Sequence, residues 1–311
     1  MIGRIAVAIV GYDNLDDVAR CVAAVGNARW HNLEICICEN GGTAAASRLH
    51  QSIGHRLAGG QRVTIIDAGD NLGYAGGVNR CLDATPDADA WWILNPDTEP
   101  APDALAALAA RLSRGDCDLA GGILHDVCGT IQTCGGHWRP WMARAVAIGR
   151  GRPLHAPPDP RAVERQLNYI SGASMLVGRR FLERAGPMRS DYFLFAEEIE
   201  WCLRGSALGL RPGFAPDAHI LHRHGTTTGS SAGHRCRRAL PIYLDQRNRI
   251  LVTRDRHPAK LVVAAPVALL ANVARYAGRG AFRQCGYGVA GWIAGIRNQR
   301  GKPEPRFFEQ G

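Results

Sequence analysis

Four short segments carry residue types that do chemistry. Trp91-Trp92-Ile93-Leu94-Asn95-Pro96-Asp97-Thr98 ends an apolar run on a carboxylate. A hard divalent cation takes oxygen ligands, commonly one or two carboxylates with substrate phosphates supplying the rest, so Asp97 is a candidate metal ligand. Upstream, Asn71-Leu72-Gly73-Tyr74-Ala75-Gly76-Gly77-Val78-Asn79 reads as a glycine-rich turn into a helix, which lets backbone amides approach a phosphate or a sugar. The acidic pair Glu197-Glu198 follows the largely aromatic run Tyr192-Phe193-Leu194-Phe195 and heads an amphipathic helix through Trp201. Burial raises a carboxyl pKa there and the helix N-terminus lowers it; a carboxylate so placed can take a proton from an attacking hydroxyl, which makes Glu198 the candidate base. In His219-Ile220-Leu221-His222-Arg223-His224-Gly225, strand alternation puts His222 and His224 on one face, where a neutral imidazole can complete a metal shell.

Each segment has a plainer reading. Asp97 can be a turn residue ahead of Pro100, Glu197-Glu198 can be favourable charge in a first helical turn, and the histidines can line a partly solvated strand face. Trp91 and Trp92 are most simply packing residues.

The elements that must position these groups follow a βαβ rhythm. Apolar runs Ile5 to Val10, Leu33 to Cys38, Val63 to Ile66 and Trp91 to Leu94 alternate with helix-like stretches Asp16 to Ala24, Ala75 to Leu82 and Pro102 to Leu112. That pattern predicts an α/β fold on a mostly parallel sheet, with functional residues in loops past the strand ends. Those loops hold Tyr12-Asp13-Asn14, Glu39-Asn40, Asp70-Asn71 and Asn95-Pro96-Asp97. Residues 137 to 165, rich in Arg, Pro and Gly, read as a long, partly ordered functional loop. A strand over Ser174 to Val177 and a helix from near Glu197 follow, and no repeat of fixed period is visible.

After Gly229-Ser230-Ser231-Ala232-Gly233 the chain turns basic, and its arginines read as solvated or phosphate-attracting charges. Between them, Leu261 to Ala274 is apolar apart from Asn272, shorter than the roughly 20 residues a spanning helix needs, and fits an interfacial helix on an anionic membrane. With 46% hydrophobic and 21% charged residues the chain is globular, not disordered. The ten cysteines form no C-x-x-C pair and read as reduced core residues of a cytosolic protein. The N-terminus reads as a first strand instead of a signal peptide. The net charge of +9 admits a nucleic-acid ligand, but the charge is concentrated after residue 230 with no recognisable binding module, which ranks that reading low.

Taken in order, Val10-Gly11-Tyr12-Asp13-Asn14, Cys38-Glu39-Asn40-Gly41-Gly42, Asn71 to Asn79, Leu94 to Thr98, Ser171-Gly172-Ala173, Phe193 to Arg204 and His222 to Gly225 resemble glycosyltransferase family two, GT-A fold, rhamnosyltransferase-like branch. The resemblance covers roughly residues 4 to 230. It implies that Asn95 and Asp97 stand in the family's D-x-D metal motif, and that Glu39 contacts the nucleotide, with Asp70 near the same pocket. By the same resemblance Glu198 is the general base and His222 a metal ligand beside Asp97. Tyr12, Asp13, Asn40, Asn71, Gly76 and Asn79 complete the expected donor site, and Gly172, Glu197 and Trp201 fall on the acceptor side. Gly11, Asn95 and the glutamate base depart from the usual family pattern; the last two bear on subfamily. The Q-x-x-R-W motif of processive synthases is not matched, since Gln246-Arg247-Asn248-Arg249 has no Trp after it.

The implied protein is an inverting glycosyltransferase using magnesium or manganese. It would move a sugar, by resemblance rhamnose from dTDP-rhamnose, to a saccharide or lipid-linked acceptor in cell-surface polysaccharide synthesis. Residues 1–232 would form the GT-A domain (1–125 for the nucleotide sugar, 126–232 for acceptor and catalysis) and 233–311 a basic, amphipathic helical extension. The expected place is the cytoplasm, at the inner face of the membrane, and a homo-oligomer is left open. The rival of a different class is a non-catalytic nucleotide-sugar-binding protein.

Overall fold

The alternating runs of the first half fold into parallel strands with helices on their faces. The computed structural model describes residues 2–223 and 236–304. In it β1 (Ile5–Gly11), α1 (Leu15–Gly26), β2 (Leu33–Glu39), α2 (Thr43–Ser52), β3 (Arg62–Asp67), α3 (Gly73–Ala84) and β4 (Ala90–Leu94) succeed one another. Every residue of β1, β2 and β4 is buried, which is why they read as continuous apolar runs instead of alternating ones. Helix α2 escapes periodicity because its buried positions are mostly alanine: Ala45, Ala46 and Leu49.

The second half contains β5 (Thr98–Pro100), α4 (Ala104–Ser113), β6 (Leu119–His125), β7 (Ile131–Thr133), β8 (Gly136–Arg139), β9 (Arg144–Ala147), α5 (Pro160–Gln166), β10 (Ser174–Gly178), α6 (Arg179–Ala185), α7 (Glu197–Ala207) and β11 (Pro212–His222). The main sheet runs β3-β2-β1-β4-β10-β6-β11-β5, with β7 on β6. Its β1–β2, β2–β3, β1–β4 and β6–β11 pairs are parallel, while β10 is antiparallel to both β4 and β6.

Residues 137 to 165 depart from the expected loop. They hold the β8–β9 hairpin and α5, and Trp138, Ile148 and Val163 are buried in the core. Strands this short, separated by glycine and proline turns, leave no period to read.

The C-terminal extension is helical, with α8 (Ala239–Arg256), α9 (Leu261–Tyr276) and α10 (Phe282–Ile296). Helix α10 packs on α8 through glycines: a Cβ at Gly291 would collide with the Tyr243 carbonyl oxygen, and one at Gly295 would lie 2.8 Å from the Arg247 carbonyl oxygen. The extension's arginines are not all solvated charges. Arg247 is only 1% exposed, and Arg300 pairs with Asp255 and Asp191. The 232/233 boundary and His224 lie outside the described residues. All ten cysteines are free, with Cys128 and Cys236 exposed.

Candidate active site

Strand register gathers the donor-side loops. Gly11 of β1 lies beside Glu39 of β2, which lies beside Asp67 of β3. The Glu39 carboxylate is 1% exposed, and its Oε1 accepts from the Asp13 and Gly41 amides at 2.8 and 2.7 Å, so it shapes the loop that carries Tyr12 and Asp13. A side chain at position 11 would collide with Glu39 Oε2, which explains Gly11 locally. Tyr12 is 46% exposed, and Asp13 (φ 49°) pairs with Arg48. Asn40 donates to the Gly73 carbonyl at 2.9 Å, and the Asn71 side chain accepts from the Gly73 amide at 3.0 Å.

Gly73 begins α3 at φ +73°, and a Cβ there would strike the Phe193 carbonyl. Only glycine fits both constraints. The Phe193 carbonyl accepts from the Tyr74 amide at 2.7 Å, tying the glycine-rich turn to the segment before the acidic pair. Gly76 belongs to the same tight turn, where a Cβ would lie 2.8 Å from that of Leu72.

That segment is unusual. Phe193, Phe195 and Ala196 are left-handed at φ 69°, 72° and 67°, a conformation non-glycine residues avoid. It is held by α8: the Asn248 amide nitrogen lies 3.0, 2.8 and 2.7 Å from the carbonyls of Tyr192, Leu194 and Phe195, and Arg247 donates to Tyr192 O at 2.8 Å. Asn248 is fully buried.

The held segment delivers Glu197 and Glu198 at the start of α7. Burial pushes the Glu198 carboxyl up to about 7, against the pull of the backbone amides of Glu198, Ile199 and Ala196. Glu197 is 2% exposed, its Oε2 has no hydrogen-bond partner, and burial and the Glu198 charge hold it well above the usual carboxyl range. Gly172 faces this pair: a Cβ there would lie 3.5 Å from both Glu198 Cβ and Tyr74 Cε1. The Tyr74 hydroxyl donates to Gly172 O at 2.6 Å. Burial, then the charges of Glu197, Glu198 and Asp97, raise its pKa, which places all three acids within electrostatic reach of the Tyr74 hydroxyl.

Asp97 meets His222 through strand pairing. β5 is antiparallel to β11 with Thr98 opposite His222, and the Arg223 amide donates to Asp97 O at 3.0 Å. Asp97 Oδ1 lies 3.4 Å from His222 Nε2, and both side chains are about nine-tenths buried. Asn95 shapes the intervening turn, its carbonyl accepting from the Thr98 hydroxyl at 2.7 Å. Among the described residues no group of three or more His, Cys, Asp or Glu is arranged around one point. Asp97 and His222 are the two side chains here that would hold a divalent ion, phosphates and water completing its shell.

Two expected contacts, those of Trp201 and Asn79, are not where the sequence reading put them. Trp201 is fully buried, its ring edge-on to Phe181 at 5.1 Å and its indole N–H on Gly186 O at 2.8 Å, so it supports the core and not an acceptor. Asn79 spends both ends of its amide on the Met188 backbone, at 2.8 and 3.0 Å, and braces that loop instead of a donor. Asp70 is exposed and bound to Lys302 at 2.8 Å, which lowers its pKa. Sequence reasoning missed Tyr74, Gln132, Arg247 and Asn248. Tyr74 lay in the segment it flagged; the other three act through tertiary contacts that carry no local signal.

Comparison with known proteins bears on the family and the fold. The family profile described as "Glycosyl transferase family 2" matches residues 6–184, ending before the acidic pair. The N-acetylglucosaminyl-diphospho-decaprenol L-rhamnosyltransferase of Mycobacterium tuberculosis (strain CDC 1551 / Oshkosh) is 25% identical over 250 residues, 72% of this chain and 77% of that protein. The low-salt glycan biosynthesis hexosyltransferase Agl10 of Haloferax volcanii is 20% identical over 312 residues, 98% of this chain and 94% of its own. Among solved structures, mannosyltransferase PcManGT from Pyrobaculum calidifontis, in complex with GDP-Man and Mn2+, superposes with a TM-score of 0.57 at 15% identity, over 96% of this chain and 88% of that one. The fold is GT-A.

Proposed function

We propose, from the premise that this chain belongs to glycosyl transferase family 2, that it is an inverting, metal-assisted enzyme moving one sugar from a nucleoside diphosphate to a glycan acceptor. The observation that carries this reading is Glu198: a carboxyl pushed up to about 7, facing Gly172 and near Tyr74, whose hydroxyl also feels the charge of Asp97. A base with a pKa near the working pH is half ionised there and strong enough to accept a hydroxyl proton.

Glu198 takes the acceptor hydroxyl proton as that oxygen attacks the anomeric carbon from the face opposite the diphosphate. The carbon–oxygen bond to the phosphate breaks, the nucleoside diphosphate leaves, and the configuration inverts. Asp97 and His222 would hold magnesium or manganese, which would neutralise charge growing on the leaving diphosphate. Tyr74 and Gly172 wall the cleft and limit water around the base.

The donor we infer is dTDP-rhamnose and the acceptor a lipid-linked saccharide of cell-surface polysaccharide synthesis. The support is the M. tuberculosis relative, whose name specifies L-rhamnose and a diphospho-decaprenol. We further place the enzyme at the cytoplasmic face of a membrane. The helical run Pro258–Arg279, 22 residues, is long and apolar enough to cross a membrane, which revises the shorter stretch read from the sequence. One face is nevertheless packed on the protein, with Ala264, Ala265 and Ala268 buried and the Trp292 indole on Ala265 O at 2.8 Å. Its other face exposes Val262 (83%) and Leu270 (69%), near Phe282 (73%). A helix bound on one side and apolar on the other, with Lys260, Arg279 and Arg283 around it, suits the plane of an anionic bilayer.

The test is nucleoside diphosphate release from a panel of nucleotide sugars, with and without Mn2+ and with a lipid-linked acceptor. Metal-dependent release from one donor, lost in Asp97→Ala and Glu198→Gln, is the expected result. Full activity in Glu198→Gln overturns the mechanism.

A further inference from the structure

Gln132 lies on β7, at the register shift in that strand's antiparallel pairing with β6. Parallel pairing of β6 with β11 ends at Leu221 opposite His125, one residue before His222. The Gln132 side chain reaches past the end of that pairing, its Nε2 donating to His222 O at 2.7 Å. The other end of the same amide, Oε1, lies 2.7 Å from Nδ1 of the His222 ring.

We propose that Gln132 is a positioning residue that fixes His222 in the tautomer whose Nε2 is turned to Asp97 as a metal ligand. A carbonyl oxygen only accepts, so the end of the Gln132 amide facing His222 O is its NH2 group. Its Oε1 therefore faces Nδ1, and as Oε1 also only accepts, Nδ1 carries the hydrogen. In the neutral ring that a metal ligand requires, the lone pair is then on Nε2, which lies 3.4 Å from Asp97 Oδ1. Two ligands at adjacent corners of an octahedral ion, with bonds of about 2.1 Å, stand roughly 3 Å apart, so this spacing accepts one shared cation after a small closure. A strand-end cap needs one hydrogen bond to the backbone. Here the amide spends one end on the backbone and the other on the ring of the same residue, as expected of a group that sets ring orientation and raises ligand basicity.

This inference rests on the reading of Asp97 and His222 as a metal pair, and the test separates the two. Mn2+ affinity is measured on the full chain by electron paramagnetic resonance, with saturating dTDP, UDP or GDP in parallel. Gln132→Leu removes both hydrogen bonds and should weaken Mn2+ by about 10–100-fold. Gln132→Glu keeps an acceptor for Nδ1–H but loses the donor to His222 O, and should weaken Mn2+ measurably less than Gln132→Leu. Gln132→Leu should add nothing in a His222→Ala background, a coupling that loss of packing alone would not produce. Wild-type affinity in Gln132→Leu alongside weak binding in His222→Ala overturns the role of Gln132 and spares the metal pair. Equal weakening by Gln132→Leu and Gln132→Glu overturns the tautomer argument. Unchanged affinity in His222→Ala overturns the reading on which the inference stands.

Discussion

Replacing Asn248 with alanine separates what the C-terminal helices do for stability from what they do for chemistry. The Asn248 Nδ2 has two hydrogens shared among three carbonyls, those of Tyr192, Leu194 and Phe195, and its Oδ1 accepts from Arg247 Nε at 2.9 Å. A buried hydrogen bond contributes about 1 kcal/mol net, and a buried partner left unpaired costs more, so Asn248→Ala should cost roughly 2–4 kcal/mol. In a chain of this size that is a fall in Tm of roughly 4–10 °C. The larger consequence is local. Three left-handed residues, each unfavourable by about 1–2 kcal/mol, persist because those hydrogen bonds hold them. Without Asn248 the segment relaxes toward negative φ and moves Glu198, and a misplacement of about 1 Å costs on the order of 100-fold in turnover. The assay is kcat for nucleoside diphosphate release at a temperature where the variant is folded, with donor affinity by calorimetry. Loss of kcat at nearly unchanged donor Kd is expected. A variant with the predicted Tm and full kcat would refute the idea that α8 positions the base.

Turnover should fall as pH drops through about 7, because the base works ionised and burial has raised the Glu198 pKa to there; a kcat profile flat from pH 6 to 8 would contradict this. The same shift has a stability sign: a folded pKa raised above the unfolded value means stability is lost as pH rises through the folded value. Glu198→Gln, inactive, should therefore melt higher than wild type at pH 8 and near wild type at pH 5 in calorimetric scans. Gly73→Ala combines φ +73° with a collision against the Phe193 carbonyl, so it should cost more than about 2 kcal/mol in denaturant unfolding, where Gly278→Ala, with open space around it, should cost far less. The pair Val262→Asp and Leu270→Asp should leave Tm nearly unchanged and abolish flotation with anionic vesicles, and retained flotation would remove the proposed membrane face.

The half of the site built on parallel strands was legible because backbone order is local there. Fully buried strands read as apolar runs, and the loops past their ends hold Glu39, Asn40 and Asp97. The half that depends on pairing between distant segments was not. Nothing near Gln132 announces that its side chain reaches past β6 to His222 at the end of β11, and the closeness of Asp97 to His222 follows from the β5–β11 register. Trp201 misled for a different reason. It stands one helical turn from Glu198, but Phe181 and Gly186 lie on the flank to which that turn points, so the indole belongs to the core. Helix α8 shows a weak amphipathic signal because it is buried on several sides, and its buried residues include Arg247 and Asn248, which donate to backbone carbonyls of the loop before α7.

These contacts decide how the membrane proposal can be tested. Deleting residues 259 to 311 would remove the apolar face of α9, and also α10, whose glycines pack against α8, and Gly301, whose carbonyl accepts from Arg247 at 2.8 Å. It would remove Arg300 as well, leaving the buried Asp255 with one arginine partner, Arg189, instead of two. Without α10 packed on it and with one ion-pair partner of Asp255 gone, α8 is destabilised, and the truncated chain would lose the support of Asn248, and with it the position of Glu198, whether or not a membrane is involved. Loss of activity on truncation is therefore uninformative about lipid. Val262 (83% exposed) and Leu270 (69% exposed) stand on the open side of α9, so charge placed there changes the surface alone. A membrane role predicts that such variants keep turnover on a soluble acceptor analogue and lose it on a lipid-linked acceptor in vesicles, whereas a purely structural α9 predicts equal turnover on both.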